Sequence, residues 1–158
     1  MQIVTNFGVS NTTMANTQFT SADRPFRFTN KTQLKNFVDE IFVKEKQGLE
    51  SLVYVFCSDA FLLNINNTFL QHDYYTDIIS FNLSEQPKQL IGEIYISIDR
   101  VKDNAVQLKT SYSNEMLRVI FHGALHLCGY KDKTKADIAM MRSKEDYYLA
   151  RYLKTIKA

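Results

Sequence analysis

Residues Asp77–Ile98, DIISFNLSEQPKQLIGEIYISI, decide the fold that the sequence predicts. Two runs rich in β-formers, Asp77–Leu83 and Leu90–Ile98, are separated by a polar connection that contains Pro87. Such a connection suits a hairpin-like turn. The two runs are therefore predicted to be paired strands.

The chain before this pair predicts a helix, a strand and a second helix. Asn30 and Gln33 resemble a capping box, and apolar residues at helical spacing follow to about Lys46. Ser51–Phe56 (SLVYVF) reads as a strand, and Ser58 is placed to cap the helix after it.

Residues 1–29 predict little regular structure. A short apolar stretch, Ile3-Val4 with Phe7, indicates one weak strand. Thr5–Asp23 is rich in Asn, Thr and Ser, which is typical of a loop.

Three helices are predicted after the strand pair. They run from Asp99 to about Leu108, from Ser113 through Cys128, and from Thr134 toward Lys154. Gly129 is placed to end the second of them in a left-handed cap. The apolar face of the last helix is predicted to comprise Ile138, Met141, Tyr148, Leu149 and Tyr152.

The composition indicates one soluble domain over residues 1–158. Of these residues 45% are hydrophobic, and the length suits a single core. No apolar run reaches the ~18–20 residues of a membrane span, and no signal-peptide pattern opens the chain. Cys57 and Cys128 lie in apolar contexts, as expected of free thiols in a reducing compartment. We therefore expect a cytoplasmic protein without membrane contact.

The formal charge of +2 is unevenly distributed. Lys131–Ala158 carries 8 basic and 4 acidic residues, and the remainder carries 11 basic and 13 acidic residues. A basic segment can help an anionic partner to approach, but charged faces are usually only solvated faces. Charge alone therefore does not establish nucleic-acid binding.

The helix Met116–Cys128 (MLRVIFHGALHLC) carries the chemistry. It is apolar almost all round, so it should be buried, and a buried helix rarely holds two histidines without partners. His122 and His126 are one turn apart and project from one face. After the chain reverses at Gly129, Asp132 can fold back as a third ligand.

The pattern HxxxHxxGxxD predicts one divalent metal ion on His122, His126 and Asp132. Three ligands leave an open position, which is the catalytic arrangement of zinc. Zinc is the first expectation, and nickel, iron or manganese would also suit this set of ligands. The alternative is that the two histidines are hydrogen-bonded core residues. The spacing matches that of metzincin proteases, except that Gly123 stands where their catalytic Glu would be.

Three segments together resemble the YbeY family of bacterial metal-dependent endoribonucleases. His122–Tyr130 (HGALHLCGY), preceded by Glu115, is similar to the family's signature helix. Thr76–Phe81 (TDIISF) resembles its T-D-V-L-S-F strand, and Gly92–Ser97 (GEIYIS) resembles its G-D-I-x-I-S strand. The resemblance extends over about residues 30–149.

This resemblance implies a single-domain α+β fold with a mixed sheet of about four strands flanked by helices, a zincin-like metal helix, and the metal in a cleft beside the sheet. It also implies cleavage of single-stranded RNA, maturation of the 3′ end of small-subunit rRNA, ribosome quality control and the small ribosomal subunit as a partner.

The chain departs from the family pattern at two positions. Asp132 replaces the usual third histidine, and a carboxylate leaves the metal a weaker Lewis acid. Leu70 falls where the family usually has an arginine that is thought to engage the substrate phosphate, and leucine cannot pair with phosphate. His72 and Arg118 are the candidate substitutes. Their alternatives are a solvated loop histidine and a carboxylate-paired arginine.

Thr76 and Ser80 are expected to bind substrate through their hydroxyls, although β-propensity alone would account for both. The leading hypothesis is an endoribonuclease with His122, His126, Asp132, Arg118 and His72 as catalytic residues. A ribosome-assembly factor with a structural metal is the second hypothesis, and Leu70 favours it. A metalloprotease is the third, and the absence of an acid at position 123 argues against it.

Overall fold

The computed structural model describes residues 15–157. Within this range five helices and four strands form one α+β unit. In chain order the elements are β1 (Thr17–Ser21), α1 (Lys31–Lys44), β2 (Leu49–Cys57), α2 (Asp59–Leu70), β3 (Ile78–Asn82), β4 (Leu90–Ser97), α3 (Ile98–Gln107), α4 (Tyr112–Leu127) and α5 (Lys135–Lys157).

The four strands form one mixed sheet in the order β1-β2-β4-β3. The β1–β2 and β2–β4 pairs are parallel, whereas β3 and β4 pair antiparallel with Ser80 opposite Ile94. The predicted strand pair is therefore confirmed, as is the expected mixed four-stranded sheet. Strand β3 is the last strand of this order, so within residues 15–157 only one side of its backbone is paired with another strand.

The hydrophobic core lies mainly on one face of the sheet. Inward residues of β2 and β4 alternate along each strand, as Tyr54 and Phe56 do, and they pack against apolar residues of α1, α4 and α5. On the opposite face, Leu62 of α2 packs with Cys57 and Ile79 in a smaller cluster. The sheet is thus covered on both faces, and α4 belongs to the larger core.

Two contacts fix α4 against the sheet. The buried hydroxyl of Tyr54 donates a hydrogen bond to the Ile120 carbonyl at 2.7 Å. Gly123 faces β3 and β4 so closely that a Cβ there would come within 2.8 Å of the Ile78 side chain and 3.0 Å of Ile94. Glycine therefore lets the helix approach the sheet, and the histidines on either side of this position are held beside β3.

Most predicted helix boundaries agree with the structure to within a few residues. Ser58 caps α2 by accepting a hydrogen bond from the Phe61 amide, and Gly129 has the predicted left-handed conformation with φ 103°. Ser97 and Ser111 cap α3 and α4 in the same way as Ser58 caps α2.

Three expectations about local structure are wrong. Asn30 has a left-handed backbone and makes no capping hydrogen bond through its side chain, so there is no capping box. The segment that was expected to be a loop contains β1, because pairing with β2 and hydrogen bonds from Thr17 to Asp39 stabilise an otherwise weak strand. Ile138 is exposed, although Met141, Tyr148 and Tyr152 are buried as expected. The strand expected at Ile3-Val4 lies outside the described residues.

None of the helices in residues 15–157 combines the length and the apolar character that crossing a membrane would require. Cys57 is buried and Cys128 is partly buried, and both are free thiols.

Candidate metal centre

His122, His126 and Asp132 converge at the C-terminal end of α4. One ligand atom from each of them lies within 4.8 Å of those of the other two. Oδ2 of Asp132 lies 3.1 Å from Nε2 of His126 and 3.5 Å from Nε2 of His122. Helical spacing places the two imidazoles together, and the turn at Gly129 returns the chain so that residue 132 reaches them.

The other ring nitrogen of each histidine has its own partner. Nδ1 of His126 lies 2.9 Å from the Tyr130 carbonyl, and Nδ1 of His122 lies 3.2 Å from Oε2 of Glu145. Metal-ligating histidines in proteins usually make such a contact, which fixes the ring and directs the remaining nitrogen toward the ion. Both Nε2 atoms are thereby oriented toward Asp132.

The surroundings of His122 favour positive charge. Burial acts to lower the pKa of His122, but the hydrogen bond to Glu145 and the charges of Glu145, Asp132 and Asp77 outweigh it, so the pKa is raised. Two imidazole nitrogens and one carboxylate are ligands that a divalent cation such as zinc accepts, and nearby negative charge favours a cation there. The residues present therefore fit a three-ligand metal site.

A cavity of about 520 Å³ opens over this group, between α4 and β3. Its volume lies in the range of sites for small ligands. Residues from the loop after α2, from β3 and from α4 line it, among them Leu70, His72, Tyr74, Thr76, Ser80, His122, His126 and Asp132.

Thr76 and Ser80, the two residues expected to bind substrate through their hydroxyls, line this cavity. Thr76 donates its hydroxyl to the Ile78 carbonyl at 3.3 Å. The Oγ of Ser80 is buried and has no hydrogen-bond partner among residues 15–157. Substrate contact through either hydroxyl stays a prediction.

The structure separates the two candidates for the missing arginine. His72 lines the cavity that holds the three candidate ligands, with its Nδ1 3.0 Å from the Tyr74 hydroxyl. Arg118 lies instead in a neighbouring cavity of about 370 Å³, where its guanidinium contacts Glu145 at 3.4 Å and Asp146 at 2.7 Å. The geometry matches the carboxylate-paired arginine that the sequence left as an alternative.

Two acidic residues near the site were not predicted as site residues. Glu145 is buried on α5 beside His122. No local sequence motif identifies it, because its contact depends on how α5 packs on α4. Asp77 lines both cavities, and burial raises the pKa of its carboxyl, although the charge of His122 opposes this. Asp77 belongs to the segment Thr76–Phe81 that resembles the family's strand. Its place beside Thr76 in that segment was the sequence signal that could have identified it as a site residue.

The fold and the site define a class of protein, the small α+β proteins that carry a zincin-like histidine helix beside a mixed sheet. A family model described as Endoribonuclease YbeY matches residues 14–153. The chain belongs to the YbeY family.

Similar proteins agree with this assignment. An Endoribonuclease YbeY of Cytophaga hutchinsonii is 46% identical over 132 residues, which cover 84% of this chain and 92% of that protein. One from Flavobacterium psychrophilum is 45% identical over 121 residues, covering 77% of this chain and 86% of the other. A solution structure from Thermotoga maritima has a TM-score of 0.63 at 24% identity, covering 89% of this chain and 91% of that one, and it supports the fold alone.

Proposed function

We propose that this chain is a metal-dependent endoribonuclease that cleaves single-stranded RNA. The observation that carries the proposal is the convergence of His122, His126 and Asp132 at the wall of an open cavity. Membership of a family whose curated members are named endoribonucleases supports the same conclusion. We further propose that the ion is zinc. The proposed role is maturation of the 3′ end of small-subunit rRNA and ribosome quality control in the cytoplasm, with the small ribosomal subunit as the partner.

The residues around the cavity have different proposed roles in metal binding, in orienting the histidines and in substrate contact. A divalent ion bound by the three ligands would supply Lewis acidity and lower the pKa of water. Glu145 and the Tyr130 carbonyl hold the imidazoles of His122 and His126 in orientation. His72 lies across the same cavity and is placed to meet a phosphate or a base of the bound RNA.

Within residues 15–157, the cavity of the metal centre lacks an arginine that is available to pair with the substrate phosphate. Leu70 lines the cavity at the position of the family's arginine, and Arg118 is already paired with Glu145 and Asp146. A charge-assisted contact to the transition state is worth several kcal/mol in comparable settings, so we expect slow cleavage. This observation favours a second candidate function, that of a ribosome-assembly factor in which the metal is structural.

A metalloprotease is not supported. The general base of that mechanism would stand at position 123, immediately after the first histidine. Residue 123 is a glycine, and a Cβ at this position would meet the side chains of Ile78 and Ile94 on the sheet at 2.8 and 3.0 Å, so the position neither holds an acid nor has free space for one.

The proposal is tested first on the metal. Purified protein should hold about one divalent ion per chain, and His126→Ala should release it because two remaining ligands hold such an ion poorly. His72→Ala is the matched control for metal content, since His72 lies outside the ligand group. Equal metal content in the wild type and the His126→Ala variant would contradict the site.

The activity test uses single-stranded and duplex RNA of one sequence. Cleavage of the single strand should stop with a chelator and return when zinc is added back. Metal-loaded protein that binds small-subunit RNA without cleaving any single strand would favour the assembly factor over the nuclease.

A further inference from the structure

Two aromatic side chains stand together in the cavity of the metal centre. His72 and Tyr74 are stacked, with ring centroids 5.1 Å apart and planes inclined by 20°. Both line the cavity that contains His122, His126 and Asp132. Tyr74 nevertheless remains 56% exposed, so much of its ring surface is open to solvent.

The backbone of this pair is held by one buried residue. The side-chain amide of Asn66, which is 1% exposed, donates to the Tyr74 carbonyl at 2.9 Å. The Asn66 carbonyl accepts from the His72 amide at 3.2 Å. Burying an asparagine costs free energy unless its hydrogen bonds are made. The loop is therefore fixed in position at both aromatic residues, although its side chains face solvent.

We propose that His72 and Tyr74, here called the stacking platform, bind an unpaired base of the RNA whose phosphate lies at the metal centre. This inference rests on the proposed function. Single-stranded nucleic acids are commonly held by aromatic rings on which bases stack, and such contacts tolerate any base because each base has a π-face. Bases in a duplex are stacked on each other and unavailable, so the platform also contributes to selectivity for single strands.

The neighbouring Tyr75 provides an internal comparison. It is 54% exposed, almost the same as Tyr74, and it follows directly in the chain. Its ring instead lies against Arg100, whose guanidinium carbon is 5.1 Å from the ring centroid, and it does not line the cavity. Tyr75→Ala therefore removes an equivalent exposed aromatic without touching the platform.

The experiment measures binding of fluorescently labelled single-stranded RNA to metal-loaded protein by anisotropy, in the cold, with a gel to show that the RNA stays intact. Tyr74→Ala should weaken binding by ~10-fold, the scale of one lost base–aromatic stack. Tyr74→Phe keeps the ring and should bind like wild type, as should Tyr75→Ala. Thermal melting of all three variants checks that they fold.

A second arm changes the RNA. Oligonucleotides that each lack one base are scanned along the sequence, and one such position should weaken binding by wild type about as much as Tyr74→Ala does. The Tyr74→Ala variant should be indifferent to the loss of that same base. If every abasic position weakens wild type and Tyr74→Ala equally, the platform does not bind a base, although RNA binding stands. If wild type binds no single-stranded RNA, the proposed function falls and the inference with it.

Discussion

Glu145 contacts His122 from a different helix, with its Oε2 3.2 Å from the Nδ1 of the imidazole. Glu145 is buried on α5, and the same carboxylate also accepts from Arg118 at 3.4 Å. The carboxylate is thereby fixed between a permanent cation and a metal-ligand candidate. The packing of α5 on α4 thus decides the orientation of a candidate ligand that lies on α4.

Removing this carboxylate should weaken metal binding. Glu145→Ala is expected to lower metal affinity by ~10- to 100-fold, the usual effect of losing a hydrogen-bond partner of a metal-bound histidine. Glu145→Gln should lose less, because its amide oxygen can still accept from Nδ1 of His122. Competition with a chromophoric chelator measures the affinities.

Asp146→Ala is the matched control for this change. Asp146 is the next residue and pairs with Arg118 at 2.7 Å, but it makes no contact with His122. Its removal should leave metal affinity unaltered. If Glu145→Ala and Asp146→Ala have the same affinity, Glu145 serves the fold through Arg118 and does not position the ligand.

The carboxylate of Glu45 should make stability depend on pH. Burial acts to raise the pKa of Glu45, but hydrogen bonds from Tyr148 at 2.5 Å, Tyr130 at 2.7 Å and Lys144 at 3.1 Å outweigh it, so the pKa is lowered. A lowered pKa in the folded state contributes stability above the ordinary value of 4.5. That contribution is lost as the pH falls through the folded-state pKa.

Glu45→Gln should therefore lower the free energy of unfolding by about 1–2 kcal/mol at neutral pH, because charge-assisted hydrogen bonds become neutral ones. The difference from wild type should shrink as the pH falls below 4.5. Urea titrations at a series of pH values measure it. Glu50→Gln, at an exposed position without a side-chain hydrogen bond in residues 15–157, should show neither effect. A difference that is constant with pH would show that the charge of Glu45 is not what stabilises the fold.

Much of the fold could be predicted from the sequence because local signals and tertiary packing agree. The β3–β4 pair, the buried helix of the histidines and the cap at Gly129 all carry strong local patterns. Strand β1 does not, because four of its five residues are polar and its stability comes from pairing with β2 and from Asp39 on α1. Such contacts cannot be inferred from a window of sequence.

In the candidate site, too, features set by local sequence could be predicted and those set by tertiary contacts could not. His122, His126 and Asp132 are close in the chain, so helical spacing and one turn sufficed to predict their convergence. Pairing of Arg118 with a carboxylate was an open alternative, but its partners could not be named from the sequence, because they come from α5, 27 and 28 residues away. Residues whose function depends on packing between helices are found only from the structure.

Asp132→His should keep the metal and speed up hydrolysis. A neutral imidazole leaves more positive charge on the ion than a carboxylate does, and an increase of several-fold is expected. The Asp132 side chain is 44% exposed on its loop, so a larger ring has room. Metal content and RNA turnover are measured together. Lys131→His adds a histidine to the same loop beside the ligand position and should change neither, whereas loss of metal from Asp132→His would mean that residue 132 does not reach the ion.

The last prediction concerns the missing cation. Leu70 is 40% exposed, lines the cavity of the metal centre and belongs to neither hydrophobic cluster, so replacing it should cost little stability. Leu70→Arg would place a guanidinium where it can donate two hydrogen bonds to phosphate oxygens. Because charge-assisted contacts of this kind stabilise the transition state, we expect the rate of cleavage to increase by ~10-fold or more. The rate on one single-stranded RNA, measured at equal metal loading, checks this.

The control for Leu70→Arg must separate local placement from added charge. Thr68→Arg introduces the same charge at an exposed position two residues earlier, outside the cavity, and should leave the rate near that of wild type. Thermal melting should give the same midpoint for both variants and wild type, because neither position is in the core. If Leu70→Arg melts normally and cleaves no faster than Thr68→Arg, the absence of this arginine does not limit the reaction. His72, which faces the same cavity, then becomes the residue to replace.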